Sequence, residues 1–307
     1  MPSPASRAYR AAVKRAGGRS SMLKARHAQA VVDAVRSAPE RVDVPTGVLR
    51  HVRVERREWV SVRHVRWPLY DIIPGTVQPE NDRVLYLHGG AYVGQIGHEA
   101  WWFAARLALQ SRRVVTVAIY PLVPFVTAAD LVAQSVEVVR AERERGSSLS
   151  VVGDSAGGGL ALATSMALRD ASDPAIESLV LVSPWSDVSV SHPDVAARAR
   201  RDVMLAPAGL RHFGELYRGE LAPDDWRASP AHGNFTDLPR MFVCAAEDDI
   251  LYSDAITVHR AAQAAGVASQ LLIGERMLHV WPLAHIPEGI AALGRIVSFI
   301  DRETAPN

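Results

Sequence analysis

From about residue 83 onward, short apolar runs alternate with longer stretches of helical spacing. The runs lie near 83–88, 113–119, 149–153, 178–183, 240–246 and 269–273. Mostly apolar runs of five to seven positions, rich in Val and Leu, mark strands buried on both faces, and the helical stretches between them predict parallel crossovers. Ahead of these, Leu49 to Glu55 and Trp59 to Val65 alternate and predict two antiparallel strands. The expected class is α/β, a mostly parallel eight-stranded sheet with helices on both faces. Met22 to Ala38 has the spacing of an amphipathic helix ending at Pro39. Small and basic residues before Gly17-Gly18 predict a mobile or weakly helical start.

Open α/β sheets bind ligands at the C-terminal ends of their strands, and the chemically suggestive residues fall there. Gly153-Asp154-Ser155-Ala156-Gly157 sits between the apolar run Leu149 to Val152 and a helix-like segment. Alone, Gly-x-Ser-x-Gly arises by chance in roughly one chain of this length in ten. Between a strand and a helix it predicts a strained turn that exposes a serine hydroxyl at a helix N-terminus.

The rest of an acyl-transfer apparatus follows in order. The run Arg83 to Leu87 leads into His88-Gly89-Gly90, a loop able to aim the amides of Gly89 and Gly90 at a substrate oxygen, with the Ala156 amide as third donor. The strand Arg240 to Ala245 precedes Glu247-Asp248-Asp249, and the last strand precedes His279. A serine hydroxyl needs a base to become nucleophilic, imidazole has the pKa for that task, and a carboxylate orients the imidazole. Chain order Ser, Asp, His is that of the α/β-hydrolase triad. Ser155 and His279 are the expected nucleophile and base. Asp248 competes with Asp249 for the acid, with Glu247 and Asp254 weaker, and His285 competes with His279 but lies on the approach to a helix. Asp154 is expected to support the turn by hydrogen bonding. Tyr92, Trp185 and Trp281 are candidate pocket residues, and of Trp101-Trp102 one is expected in the core.

The motifs His88-Gly89-Gly90, Gly153 to Gly158, Glu247 to Leu251 and Met277 to Trp281 together resemble the hormone-sensitive-lipase-like esterases, also called bacterial family IV. Tyr120 to Pro124 and Ser183-Pro184-Trp185-Ser186-Asp187 add to the likeness, which runs from about Arg83 to the C-terminus. The resemblance implies a cofactor-free serine hydrolase acting on short- to medium-chain carboxylic esters through an acyl-enzyme, and it aligns Asp249 as the acid. It also implies one domain over 1–307, with cap elements from about 1–48 and 188–226. Edge-strand homodimers occur among such esterases. The chain departs from their pattern at Ala91, Phe125 and Ile250, where glycine, glutamate and proline are frequent.

Composition narrows the alternatives. Hydrophobic residues at 48% and charged at 22% are ordinary globular values. No run approaches the roughly 20 apolar residues of a membrane span, and no secretory signal opens the chain. No metal-ligand spacing occurs, and the single cysteine, Cys244, lies in an apolar strand, so cytoplasmic location and no cofactor are expected. Residues 1–66 hold fifteen Lys plus Arg against five Asp plus Glu, a net of +10 against −9 for the remainder. Arginine dominates throughout the chain, as GC-rich coding would produce, and a nucleic-acid partner is not expected. Lactone or amide hydrolysis is the alternative with the same triad. Non-catalytic ligand binding, as in the plant gibberellin receptors, would require loss of the histidine that His279 supplies.

Overall fold

The computed structural model describes residues 2–17, 25–37, 42, 44–47, 49–61, 65–75 and 82–301. Eight strands form one sheet: β1 (Val52–Val60), β2 (Arg66–Pro74), β3 (Arg83–Leu87), β4 (Val114–Ala118), β5 (Leu149–Asp154), β6 (Ser178–Val182), β7 (Arg240–Ala246) and β8 (Ser269–Gly274). Their spatial order is β1-β2-β4-β3-β5-β6-β7-β8. β2 runs antiparallel to β1 and β4, and all later neighbours are parallel.

The six parallel strands begin and end within a residue of their apolar runs, because burial on both faces leaves few other readings of such sequences. Successive side chains alternate between the two faces. Leu85, Leu87 and Val151 join one core cluster, while Val84, Tyr86 and Val152 join the other. Helices α4 (Ala128–Arg143), α5 (Ala156–Asp170) and α8 (Tyr252–Ala264) cover the first face. Helices α3 (His98–Ser111) and α9 (Pro287–Ile300) cover the second. Cys244 is fully buried on β7.

The first hairpin departs from expectation. The predicted strands Leu49 to Glu55 and Trp59 to Val65 are displaced to Val52–Val60 and Arg66–Pro74, so residues 56–58, left between the two predicted strands, lie inside β1. β1 is an edge strand with mostly solvent-facing residues, which removes the apolar signal that marks strand ends. Pro68 masks the start of β2, and it sits in the ladder opposite Glu58.

Two helices precede the sheet, α1 (Pro4–Ala16) and α2 (Ala25–Ser37). The predicted helix Met22 to Ala38 is α2, its expected ends at 22–24 and 38 lying outside the described residues. Of the mobile or weakly helical start expected there, the structure shows the helical form, and it is capped. The Ser3 side chain accepts the Ser6 amide, and Ser3 donates through N and Oγ to the Glu288 carboxylate at 2.6 and 2.9 Å. Further along α1, Arg10 donates to Asp248 Oδ2 at 2.6 Å and to the Arg276 carbonyl at 2.8 Å. A helix this short is marginal in isolation even when rich in Ala and Arg, so these tertiary partners hold it. Between β6 and β7, the segment 188–226 contains α6 (Val195–Arg198) and α7 (Pro207–Arg218). α2 packs on α7, and His212 Nε2 meets Gln29 Oε1 at 3.0 Å.

Candidate active site

Ser155 occupies the turn between β5 and α5 with φ 52° and ψ −119°, a conformation that L-residues rarely adopt. Its amide donates to the Val182 carbonyl and its own carbonyl accepts the Trp185 amide, both at 2.9 Å, so β6 and its following loop hold the turn. The flanking glycines are steric requirements. A Cβ at Gly153 would stand 2.3 Å from the Gly157 carbonyl oxygen, and one at Gly157 would stand 2.0 Å from that of Leu87. A side chain at Gly153 would force the turn open against the start of α5, and one at Gly157 would push the turn off the end of β3.

The loop after β8 brings His279 across to Ser155. Its Nε2 lies 2.9 Å from Ser155 Oγ, and its Nδ1 lies 2.7 Å from Asp249 Oδ2. A carboxylate can only accept, so Nδ1 carries the proton and Nε2 is left to receive one from the serine. Asp249 is fully buried after β7, and its other oxygen accepts the Leu251 amide at 2.8 Å. Burial alone would lower the pKa of His279. The Asp249 charge and hydrogen bond, with smaller effects from Asp202 and Asp154, outweigh it and raise the value above the ordinary histidine range.

The rivals have other partners. Asp248 pairs with Arg10 at 2.6 Å and Arg201 at 3.2 Å. Glu247 accepts the Arg276 amide, and Asp254 accepts the amides of Ser186 and Asp187, each at 2.9 Å. His285 is exposed and packs at a tilt of 34° against Trp102, with ring centres 4.7 Å apart. Trp101 is the buried member of that tryptophan pair, edge-on to Tyr70.

One expected oxyanion donor is already committed. The Gly89 amide donates to Asp154 Oδ1 at 2.9 Å, and Tyr86 donates its hydroxyl to the same oxygen at 2.5 Å. Asp154 thus ties the loop after β3 to the nucleophile turn, as anticipated for it, and the Gly89 proton is consumed in doing so. Burial pushes the Asp154 carboxyl above its ordinary range despite these bonds. Among the described residues, no acceptor engages the amides of Gly90, Ala91 or Ala156. The Ala91 amide, not foreseen as a donor, is thus as unengaged as that of Gly90. Its φ of 54° turns the chain there as a glycine would.

Ser155 and His279 open into a cavity of about 480 Å³. Its walls come from α1 (Tyr9, Val13), α2 (Val31), the 203–205 segment and Phe213 of α7, besides the loop after β3. The three candidate pocket aromatics are not among them. Tyr92 is buried, stacked on Tyr217 at 3.6 Å, and donates to the Ala156 carbonyl at 2.8 Å. Trp185 donates Nε1 to the Asp187 carbonyl at 3.0 Å, and Trp281 to that of Ala245 at 3.2 Å. Each packs beneath the site, because a large ring with one polar atom is satisfied by a single carbonyl in the core. α1 lies within the segment 1–48 expected to contribute to a cap, although Tyr9 and Val13 themselves were not singled out, as nothing local marks them.

Comparison with known proteins agrees with this arrangement. Residues 84–283 match the family described as alpha/beta hydrolase fold. The chain is 34% identical over 237 residues to an acetyl-hydrolase of Streptomyces hygroscopicus, covering 72% of this chain and 76% of that protein. A triacylglycerol lipase of Mycobacterium tuberculosis is 30% identical over 208 residues, 67% of this chain and 43% of its own length. Among solved structures, EstE5 soaked with p-nitrophenyl butyrate superimposes with a TM-score of 0.74 at 27% identity, over 90% of this chain and 98% of that one. A thermostable esterase from Pseudomonas putida shares the fold, with a TM-score of 0.80 at 22% identity over 100% of both chains. This chain belongs to the alpha/beta hydrolase fold family, among its hormone-sensitive-lipase-like esterases, and is an ester hydrolase.

Proposed function

We propose that the protein hydrolyses carboxylic esters of short to medium acyl chain through a covalent acyl-enzyme on Ser155. The observation that carries this reading is the continuous hydrogen-bonded chain from Ser155 Oγ through His279 to buried Asp249, opening into a cavity with mostly apolar walls. Ser155 Oγ attacks the ester carbonyl while its proton passes to His279 Nε2. The carbonyl oxygen becomes an oxyanion, held by the amides of Gly90, Ala91 and Ala156, the last at the N-terminus of α5 where the helix dipole adds to the field. Collapse of this intermediate expels the alcohol, which takes the proton from His279. Water then attacks the acyl-enzyme with His279 again as base, releasing the acid and restoring Ser155.

Helices α1 and α2 and the segment 188–226 serve as a cap in this reading. They contribute Tyr9, Val13, Val31, Leu205 and Phe213 to the cavity, and an apolar roof limits the water around the reacting charges. The relative called an acetyl-hydrolase supports a small acyl group. The test is hydrolysis of p-nitrophenyl acetate, butyrate, octanoate and laurate by the protein beside Ser155→Ala. Serine-dependent turnover peaking at short chains is expected. Wild-type rates in Ser155→Ala would overturn the mechanism, and a folded but inactive wild type would turn attention to lactones and amides.

A further inference from the structure

We propose that Asp202 is a positioning residue for this reaction, tying the wall of the substrate cavity to the turn that carries Asp249. The proposal rests on the triad reading given above. Asp202 lies between α6 and α7 and is 1% exposed. Its Oδ1 accepts the amides of Met204 at 2.7 Å and Leu205 at 2.9 Å, and its Oδ2 accepts the amide of Ile250 at 3.1 Å. Met204 and Leu205 line the cavity, and Ile250 follows Asp249 directly. One carboxylate therefore clamps a stretch that touches substrate to the residue beside the catalytic acid.

The choice of residue type supports a role in the site. Three N–H donors converge on Asp202, and a carboxylate is the short side chain with two acceptor oxygens and no competing donor. Asparagine would turn an N–H₂ toward one of these amides. The arrangement is also costly, since burial and the nearby Asp249 charge push the Asp202 carboxyl up to about 6. In return its negative charge favours the imidazolium that His279 becomes during attack. The groups acting on His279 are Asp249, Asp202 and Asp154, all acidic, with Ser155 Oγ on its other nitrogen.

The test compares Asp202→Asn and Asp202→Glu with wild type on p-nitrophenyl butyrate, with Ser155→Ala alongside and thermal unfolding as a control. For Asp202→Asn, kcat is expected to fall about tenfold. The acid limb of its kcat/KM profile should move to lower pH, because one charge favouring the imidazolium is gone. Asp202→Glu keeps the charge, so its acid limb should match wild type while its displaced oxygens lower kcat. Wild-type kcat and pH profile in both variants would overturn the proposal. So would an unmoved acid limb in Asp202→Asn, or failure of both variants to fold, which would assign Asp202 to the fold alone. Turnover surviving in Ser155→Ala would instead break the triad reading underneath.

Discussion

Asp248 and Asp249 are adjacent in the chain and serve opposite sides of their turn. Asp249 accepts the Nδ1 proton of His279 at 2.7 Å inside the site, while Asp248 accepts from Arg10 of α1 at 2.6 Å. In the proposed mechanism the first orients the base, while the second anchors a helix that lines the cavity. Asp249→Asn should therefore lower kcat by about 10³ to 10⁴, as loss of the orienting carboxylate does in other triads, with little change in thermal midpoint. Asp248→Asn should keep most of kcat and lower the thermal midpoint by a few degrees, since Arg10 and Arg201 lose a shared, nearly buried partner. Steady-state kinetics and thermal unfolding of the two variants read both effects, and the reverse pattern would reassign the acid.

Activity should depend on pH through His279. The base works only when neutral, and its carboxylate surroundings raise its pKa above the ordinary 6.5. The rate therefore falls as pH drops through a midpoint above that value. A kcat/KM profile with its acid limb below pH 6.5 would show that burial, not Asp249, dominates the imidazole.

Asp254 should make stability pH-dependent. Burial, with the charges of Asp187 and Asp249, outweighs the amides it accepts and pushes its carboxyl up to about 8 from an ordinary 3.8. A carboxyl with a raised folded value stabilises the native state fully below its unfolded value, and that contribution is lost as pH rises through the folded one. The thermal midpoint should decline between about pH 4 and about pH 8, and Asp254→Asn should flatten the decline, its amide oxygen taking the place of Oδ2. Parallel declines in both proteins would refute this assignment.

Cys244 should be inert in the native enzyme. It is fully buried on β7, and burial pushes its thiol far above the range in which a thiolate forms at neutral pH. Prolonged treatment with iodoacetamide should leave esterase activity and the intact mass unchanged. Labelling should appear only after denaturation.

The parallel strands were legible because two buried faces leave a continuous apolar run whose ends coincide with turn residues. Ser155 and His279 were legible for a related reason, since the turn at Gly153 to Gly157 and the order of the motifs reflect local backbone demands written into adjacent residues. The β1–β2 hairpin was not, because an exposed edge strand carries little hydrophobic contrast and Pro68 looks like a break.

Sequence by itself determined the six parallel strands, the turn that carries Ser155 and the class of chemistry, each written into neighbours along the chain. Only the tertiary structure decided which of two adjacent aspartates faces His279, that the Gly89 amide is spent on Asp154, and that Tyr92, Trp185 and Trp281 support the site from beneath. It also decided which α1 residues reach the cavity and that Asp202 lies beside it. These are contacts between residues up to hundreds of positions apart, such as Arg10 with Asp248, and no local pattern of polarity encodes which partner a buried charge will meet.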